Sequence, residues 1–409
     1  MSKNYMDMNK SCTNYIGYIG RDSSKDRCLR ACTVVPARKN GSVELLRFLF
    51  TTIIILFHIN LDLWDQKKVV TVISGIPVTF FEHGNIGVEF FFLVTGWLMA
   101  KTIWKRCEAD ALLPKKKQGA WLLEETLQFV LHKARAIMPY YLTACLLTPL
   151  VRIVTDKAVT TDYFIPRIPS LFLLQRVGLG KPFIGCTWYL SSMMIAMTLA
   201  YPLCRRFYRA YTHFAAPVIG MALLGAILLL TGSLGDIEDW FFITYKTNVR
   251  AFAEISIGAS SYELSRWMNG KVYRTWHRVL LSVTAIVCLA ASAAYMCSAL
   301  DARYALAVFV LLFVSVTILF SGEGILAKAG YFDRPVFYWL GTVSLPMYVS
   351  QTLFRKAVPW YYAETDQWTQ CFMIYAGILC FSILLHAVIS QGQRQLRVVR
   401  SSRPGTVES

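Results

Sequence analysis

Charge is what this 409-residue sequence has little of. Only 16% of its residues are Asp, Glu, Lys or Arg, where a soluble enzyme of this length carries about a quarter. Nor is there a GxGxxG, P-loop, HExxH or GxSxG stretch, so dinucleotide, nucleoside-triphosphate, zinc-protease and serine-hydrolase chemistry have no motif to rest on. His83, His132, His213, His277 and His386 have no ligand-like spacing, and no metal is expected. The eleven cysteines make no disulfide framework. Several of them (Cys145, Cys288, Cys297, Cys380) sit in apolar runs, where cysteine behaves as a small apolar residue. Cys28 and Cys32 lack a second pair or a nearby histidine, which argues against zinc. Residues 1–40 contain no apolar stretch of the signal-peptide kind and read as a flexible cytoplasmic arm.

What is present is apolar: 55% of residues are hydrophobic and mean hydropathy is +0.44. The pattern predicts an all-α, polytopic helical membrane protein with about ten spans. They fall at roughly 43–63, 84–103, 136–154, 183–203, 214–232, 248–266, 279–298, 303–321, 336–355 and 370–391. A membrane domain over 41–392 would then be followed by a basic cytoplasmic tail, 393–409. Residues 118–135 read as an amphipathic helix lying on the membrane, and 169–180 as a short re-entrant or interfacial piece. The net charge of +17 could suggest nucleic acid. With both termini cytoplasmic, however, about 29 of the Lys and Arg residues fall on the inner side, including Arg38-Lys39, Lys115-Lys116-Lys117 and Arg205-Arg206. The positive-inside bias accounts for the excess without a nucleic-acid partner.

Against this background, ionisable groups inside spans stand out as functional candidates. Arg47 and His58 are eleven positions apart in the first span, so they share one helical face about 16 Å apart along the axis. Glu44 shares that face. Glu89, near the outer end of the second span, is placed to meet His58, where a carboxylate would fix the tautomer of an imidazole base and stabilise the imidazolium. Gly87 and Gly96 permit close helix approach. Arg135, entering the third span in "KARAIMPYY", suits bidentate phosphate binding. Trp188 and Tyr189 open the fourth span, as an aromatic belt or as site residues. Arg250 and Glu254 either pair at i, i+4 or line an acceptor cleft. In "LGTVSLPMYVSQ" a proline predicts a kink, and Ser344, Tyr348 and Gln351 fall along one side.

Taken in order, these stretches resemble the integral-membrane acyltransferase family 3, from about Glu44 to the last span. The resemblance is carried by Arg47-x10-His58, "GVEFFFLVTGWLM", the basic-then-Pro-Tyr entry around Arg135 and Pro139, "TWYLSSMMIAMTLAYPL", "VRAFAEISIGAS" and "LGTVSLPMYVSQ". Thr95 stands where the family usually has serine, Gln351 where many members have histidine, and the family's RxxR pattern reads His132-Lys133-Ala134-Arg135. The resemblance implies a roughly ten-helix enzyme of the plasma membrane that moves an acyl group, most often acetyl, from cytoplasmic acetyl-CoA to an extracytoplasmic or lipid-linked glycan. It implies phosphate contacts from Arg135, Lys133 and Arg47, with His58 as general base or acyl carrier and Glu89 beside it. Trp188, Tyr189, Arg250, Glu254 and Tyr348 would line the substrate path. The rival from another class is an exporter of a small organic anion, which would use the same intramembrane charges and consume no thioester.

Overall fold

The computed structural model describes residues 40–73, 75–111, 120–155 and 161–401. Most of the arm, the Cys28/Cys32 pair, the 115–117 lysine run and the end of the basic tail lie outside the described residues.

Among the described residues ten helices have 16 or more residues. In chain order they are α1 (Gly41–Trp64), α2 (Gly87–Ala111), α3 (Ala120–Thr155), α4 (Trp188–Arg206), α5 (Ala216–Thr231), α6 (Lys246–Asn269), α7 (Thr275–Met296), α8 (Ala305–Ser321), α9 (Pro335–Tyr361) and α10 (Gln367–Ser401). Local chemistry sets several boundaries. Asn40 caps α1 by accepting the Ser42 amide at 3.1 Å, Glu44 complements the helix dipole in the first turn, and Asp65 ends the helix in the left-handed conformation. Sheet among the described residues is limited to two short hairpins, β1–β2 (Val69–Ile73, Ile76–Thr79) and β3–β4 (Trp240–Phe241, Thr244–Tyr245).

Inter-loop contacts sort the connections to two ends of the bundle. At one end the Thr79 amide donates to the Cys297 carbonyl at 2.8 Å, Gln367 donates to the Leu63 carbonyl at 2.7 Å, and Arg176 pairs with Glu238 at 2.9 Å. At the other, Asn269 donates to the Ser321 carbonyl at 2.9 Å and Gly41 abuts the backbone of Phe332. Successive long helices therefore alternate in direction, as in a polytopic membrane protein. Among the described residues, seven helical stretches are long and apolar enough to cross a bilayer: 41–64, 84–110, 121–155, 208–231, 275–296, 302–328 and 367–395.

The other three expected spans form as helices α4, α6 and α9 but fall short in apolarity. The reason is their position: α6 buries 18 of its 24 residues, including Arg250, Glu254 and Glu263. A helix walled by other helices is released from facing lipid and carries polar residues inward. Its closest neighbour is α2. Gly258 and Gly96 meet where a Cβ on either would run into the backbone of the partner helix (Leu93 and Ile255), the close approach that small residues allow.

One expectation is revised. The separate surface helix at 118–135 does not exist as such: 120–155 is one 36-residue helix. No breaker interrupts it before Pro139, and Glu125 is engaged by Arg106 at 2.8 Å and Arg205 at 3.2 Å instead of facing headgroups. At about 54 Å long, α3 exceeds a hydrocarbon core of about 30 Å, so its first turns extend past the membrane beside the last turns of α2 and α4. Residues 165–172 form 3-10 turns, held where Tyr141 donates to the Ser170 carbonyl at 2.6 Å.

Candidate active site

Helices α1 and α9 run parallel and in register, which places the first-span motif. Gly341 lies directly against the Glu44 carboxylate, so close that any Cβ would collide with it. Gln351 neighbours His58, and Arg355 holds Asp62 through two hydrogen bonds of 2.6 and 2.8 Å. The Arg47–His58 face of α1 is thus opposed along its length by the Ser344–Tyr348–Gln351 side of α9.

Between these two helices and α2, α3 and α4 lies a cavity of about 250 Å³. Arg47 and Lys133 supply its positive charge; Thr95, Tyr189, Ser344 and Tyr348 supply its hydroxyls; Ile54, Phe91 and Met193 contribute apolar wall. Arg47 is partly exposed and pairs with Glu44 at 3.0 Å, while Tyr189 and Tyr348 are buried with ring centroids 5.9 Å apart. The Thr95 hydroxyl donates back to the Phe91 carbonyl at 2.8 Å, so threonine keeps the hydroxyl that the related serine would place here. The chamber has a cationic inner mouth and a hydroxyl-lined interior. Ligand pockets commonly run from about 300 to 1,000 Å³, so this one is at the small end of that range.

His58 lies one helical turn beyond Ile54, past the cavity wall. The ring keeps some exposure, but Nδ1 is sealed from solvent and has no hydrogen-bond partner. The polar groups bearing on the ring are the Gln351 side chain, the Ile54 carbonyl and the Arg355 guanidinium.

Glu89 is not among them, which corrects the expected His58–Glu89 contact. It pairs with Arg250 at 2.8 Å, and Arg250 also holds Glu254 at 3.0 Å and donates to the Leu234 carbonyl at 2.7 Å. All three charged side chains are essentially inaccessible. The Arg250–Glu254 pairing offered by the i, i+4 spacing is present, and Glu89 joins it from α2. One oxygen of each carboxylate has no partner. Trp188 belongs to this cluster, with the Arg250 guanidinium 5.8 Å from its ring centroid. Both Trp188 and Tyr189 are buried, so neither serves as an interfacial belt. The expected substrate residues therefore divide: Tyr189 and Tyr348 line the cavity, whereas Arg250, Glu254 and Trp188 form a sealed cluster beside a small outer pocket of about 30 Å³.

The basic residues of α3 divide too. Lys133 lines the cavity, whereas Arg135 is exposed and is not part of the wall. Lys133, Ile137 and Tyr141 follow the i, i+4 stripe that turns inward, and Arg135 is about 200° around the helix from Lys133.

A further cluster had no counterpart in the sequence reading. Glu125 accepts from the Tyr201 hydroxyl at 2.5 Å and from Arg106 and Arg205, and Arg205 also pairs with Asp110. Arg205 looked like ordinary inner-side charge, yet it is 9% exposed. The available signal was the Glu124-Glu125 pair, the acidic positions among the leucines of "AWLLEETLQFVL".

The site is a small chamber lined by two cations and several hydroxyls within a polytopic helical bundle, the architecture of a membrane enzyme or carrier. Residues 40–390 match the acyltransferase domain family, and the chain belongs to it. Membership covers the whole described bundle up to late α10 and makes the protein a multi-pass membrane acyltransferase. No curated protein and no solved structure matches the chain.

Proposed function

We propose that the protein transfers an acyl group, acetyl in the simplest case, from cytoplasmic acyl-CoA to a hydroxyl of an extracytoplasmic or lipid-linked glycan, working in the plasma membrane. The observation carrying this reading is the shape and charge of the cavity. Arg47 and Lys133 stand at its mouth, where CoA phosphates would be held by charge-assisted hydrogen bonds. The chamber suits a pantetheine arm, with the nucleotide left outside. The arm's thioester would then point along α1 and α9 towards His58.

In the transfer step His58 takes the proton of the acceptor hydroxyl while the oxygen attacks the thioester carbonyl; the C–S bond breaks, and the proton passes to the departing CoA thiolate. A two-step variant through acyl-His58 uses the same groups and would give ping-pong kinetics. Glu89, held by Arg250, has no part in either.

Acetyl transfer from radiolabelled acetyl-CoA in inverted membrane vesicles tests the reading. Label should enter glycan with the wild type and fall by a factor of about 10² or more with His58→Ala at equal protein abundance. Absence of transfer to any supplied glycan by the wild type would remove the donor–acceptor assignment. Undiminished transfer by the variant would leave the enzyme standing without its proposed base.

A further inference from the structure

Gln351 takes no part in proton transfer in the proposed step, and its side chain cannot serve as an acid or base. Its surroundings nevertheless assign it a task. The side chain is fully buried on α9. Its amide nitrogen is committed, donating to the Tyr348 carbonyl at 2.9 Å and towards the Cys186 sulfur at 3.4 Å. That commitment fixes which end of the carboxamide is which and leaves Oε1 over, buried and without a partner. The neighbouring His58 presents the complementary deficit, a buried Nδ1 with no partner. The backbone group bearing on the ring is the Ile54 carbonyl, also an acceptor only. The neighbours left to the imidazole here are thus acceptors, and a buried ring nitrogen beside acceptors must carry the proton to avoid an unpaired lone pair.

We infer that Gln351 is a positioning residue for the proposed acyl transfer: its Oε1 holds His58 as the Nδ1–H tautomer, so that the lone pair lies on Nε2. Nδ1 is sealed, so Nε2 is the nitrogen able to meet a hydroxyl. In many base histidines a carboxylate or backbone carbonyl performs this service; here a neutral amide does, pre-oriented by its own bonds to Tyr348 and Cys186. Catalytic hydrogen bonds are often long before substrate binds and tighten with it. The charged groups nearby, Arg355 and its partner Asp62, lie one turn further out and neutralise each other.

The inference rests on the proposed acyl transfer, and its test separates the two. With ¹⁵N-histidine-labelled full-length protein in nanodiscs, the His58 resonances, assigned by their loss in His58→Ala, should report the Nδ1–H tautomer in the wild type. They should report a mixture or the Nε2–H form in Gln351→Leu. In vesicles, Gln351→Leu should lower kcat roughly tenfold or more at unchanged KM for acetyl-CoA. Gln351→Glu should recover much of the rate and move the acid limb of the pH–rate profile to higher pH, because a carboxylate beside the imidazole favours its protonated form. That displacement is something a packing role would not produce. A wild-type Nε2–H tautomer overturns the inference, as does a Gln351→Glu profile superimposable on the wild type's. If the wild type transfers no acyl group, the donor–acceptor reading fails on its own and the tautomer spectrum still decides the role of Gln351 in holding the ring. Should Gln351→Leu fail to accumulate, the Gln351→Glu profile and the wild-type spectrum carry the decision.

Discussion

At the scale of single residues, the Glu89–Arg250–Glu254 cluster has a charge imbalance that makes a sharp prediction. Two ionised carboxylates against one guanidinium leave a surplus negative charge in a water-free setting, which is costly enough that one carboxyl is expected to hold a proton. Replacing either glutamate alone with its neutral isostere should therefore be mild. Glu89→Gln and Glu254→Gln should each retain folded protein and most of the wild-type transfer rate. The double variant and Arg250→Leu should both lose several kcal/mol of stability by stranding an unpaired buried charge. Thermal unfolding in detergent separates the cases, and a severe loss in both single variants would show that neither carboxyl is protonated. Lys133 and Arg135 provide a second contrast. Lys133→Ala should raise KM for acetyl-CoA roughly tenfold with little change in kcat, the mark of lost binding common to ground and transition states. Arg135→Ala should leave both within about twofold; the opposite pattern would put the phosphates on the outer face of α3. The inward position of Lys133 was open to a sequence reading through helical phase, since it stands in the stripe of Ile137, Tyr141 and Ala144. Resemblance favoured Arg135 because it matches a pattern by position, whereas the cavity selects by angle. The partner of Glu89 was not open in the same way: Glu89 and Arg250 are 161 positions apart, and only the packing of α2 on α6 joins them.

At the scale of helices, the crossing of α2 and α6 is the closest in the bundle to have been anticipated from one side only. Gly96 was expected to admit a neighbour, but that neighbour's own Gly258 was not singled out. A Cβ at Gly258 would meet the Leu93 carbonyl, which is backbone and cannot rotate aside. Gly258→Ala should accordingly destabilise by about 1–3 kcal/mol through forced separation of the helices. Gly225 supplies the control: it lies within α5 with open space where a Cβ would go, so Gly225→Ala should be neutral or stabilise by up to about 1 kcal/mol through helix propensity. Equal effects at the two sites would mean that the α2–α6 contact is not close-packed. The first span, expected from about 43, starts at Gly41 because Asn40 caps it. The expectation failed at 118–135, where amphipathicity was taken for contact with headgroups although the polar face meets Arg106 and Arg205.

For the whole molecule, the ten expected spans all fall on long helices, yet a criterion of length and apolarity alone finds seven among the described residues. The seven stretches apolar enough to span contain the lipid-exposed wall; α4, α6 and α9, which line the cavity or hold the buried charges, are the ones whose polarity hides them from such a criterion. If they cross nonetheless, as the sorting of loops to two ends requires, the connections after α6 and α9 must lie on opposite sides of the membrane. The positive-inside bias then puts the 270–274 turn in the cytoplasm and the 362–366 turn outside. Introducing Lys271→Cys and, separately, Thr365→Cys and labelling intact cells with a membrane-impermeant maleimide should modify only the second, above the wild-type background. Inverted vesicles should reverse the pattern. Labelling of both from one side would mean that an odd number of the helices between them and their neighbours fails to cross. The cationic mouth formed by Arg47 and Lys133 would then no longer be assured of facing the compartment that holds acyl-CoA.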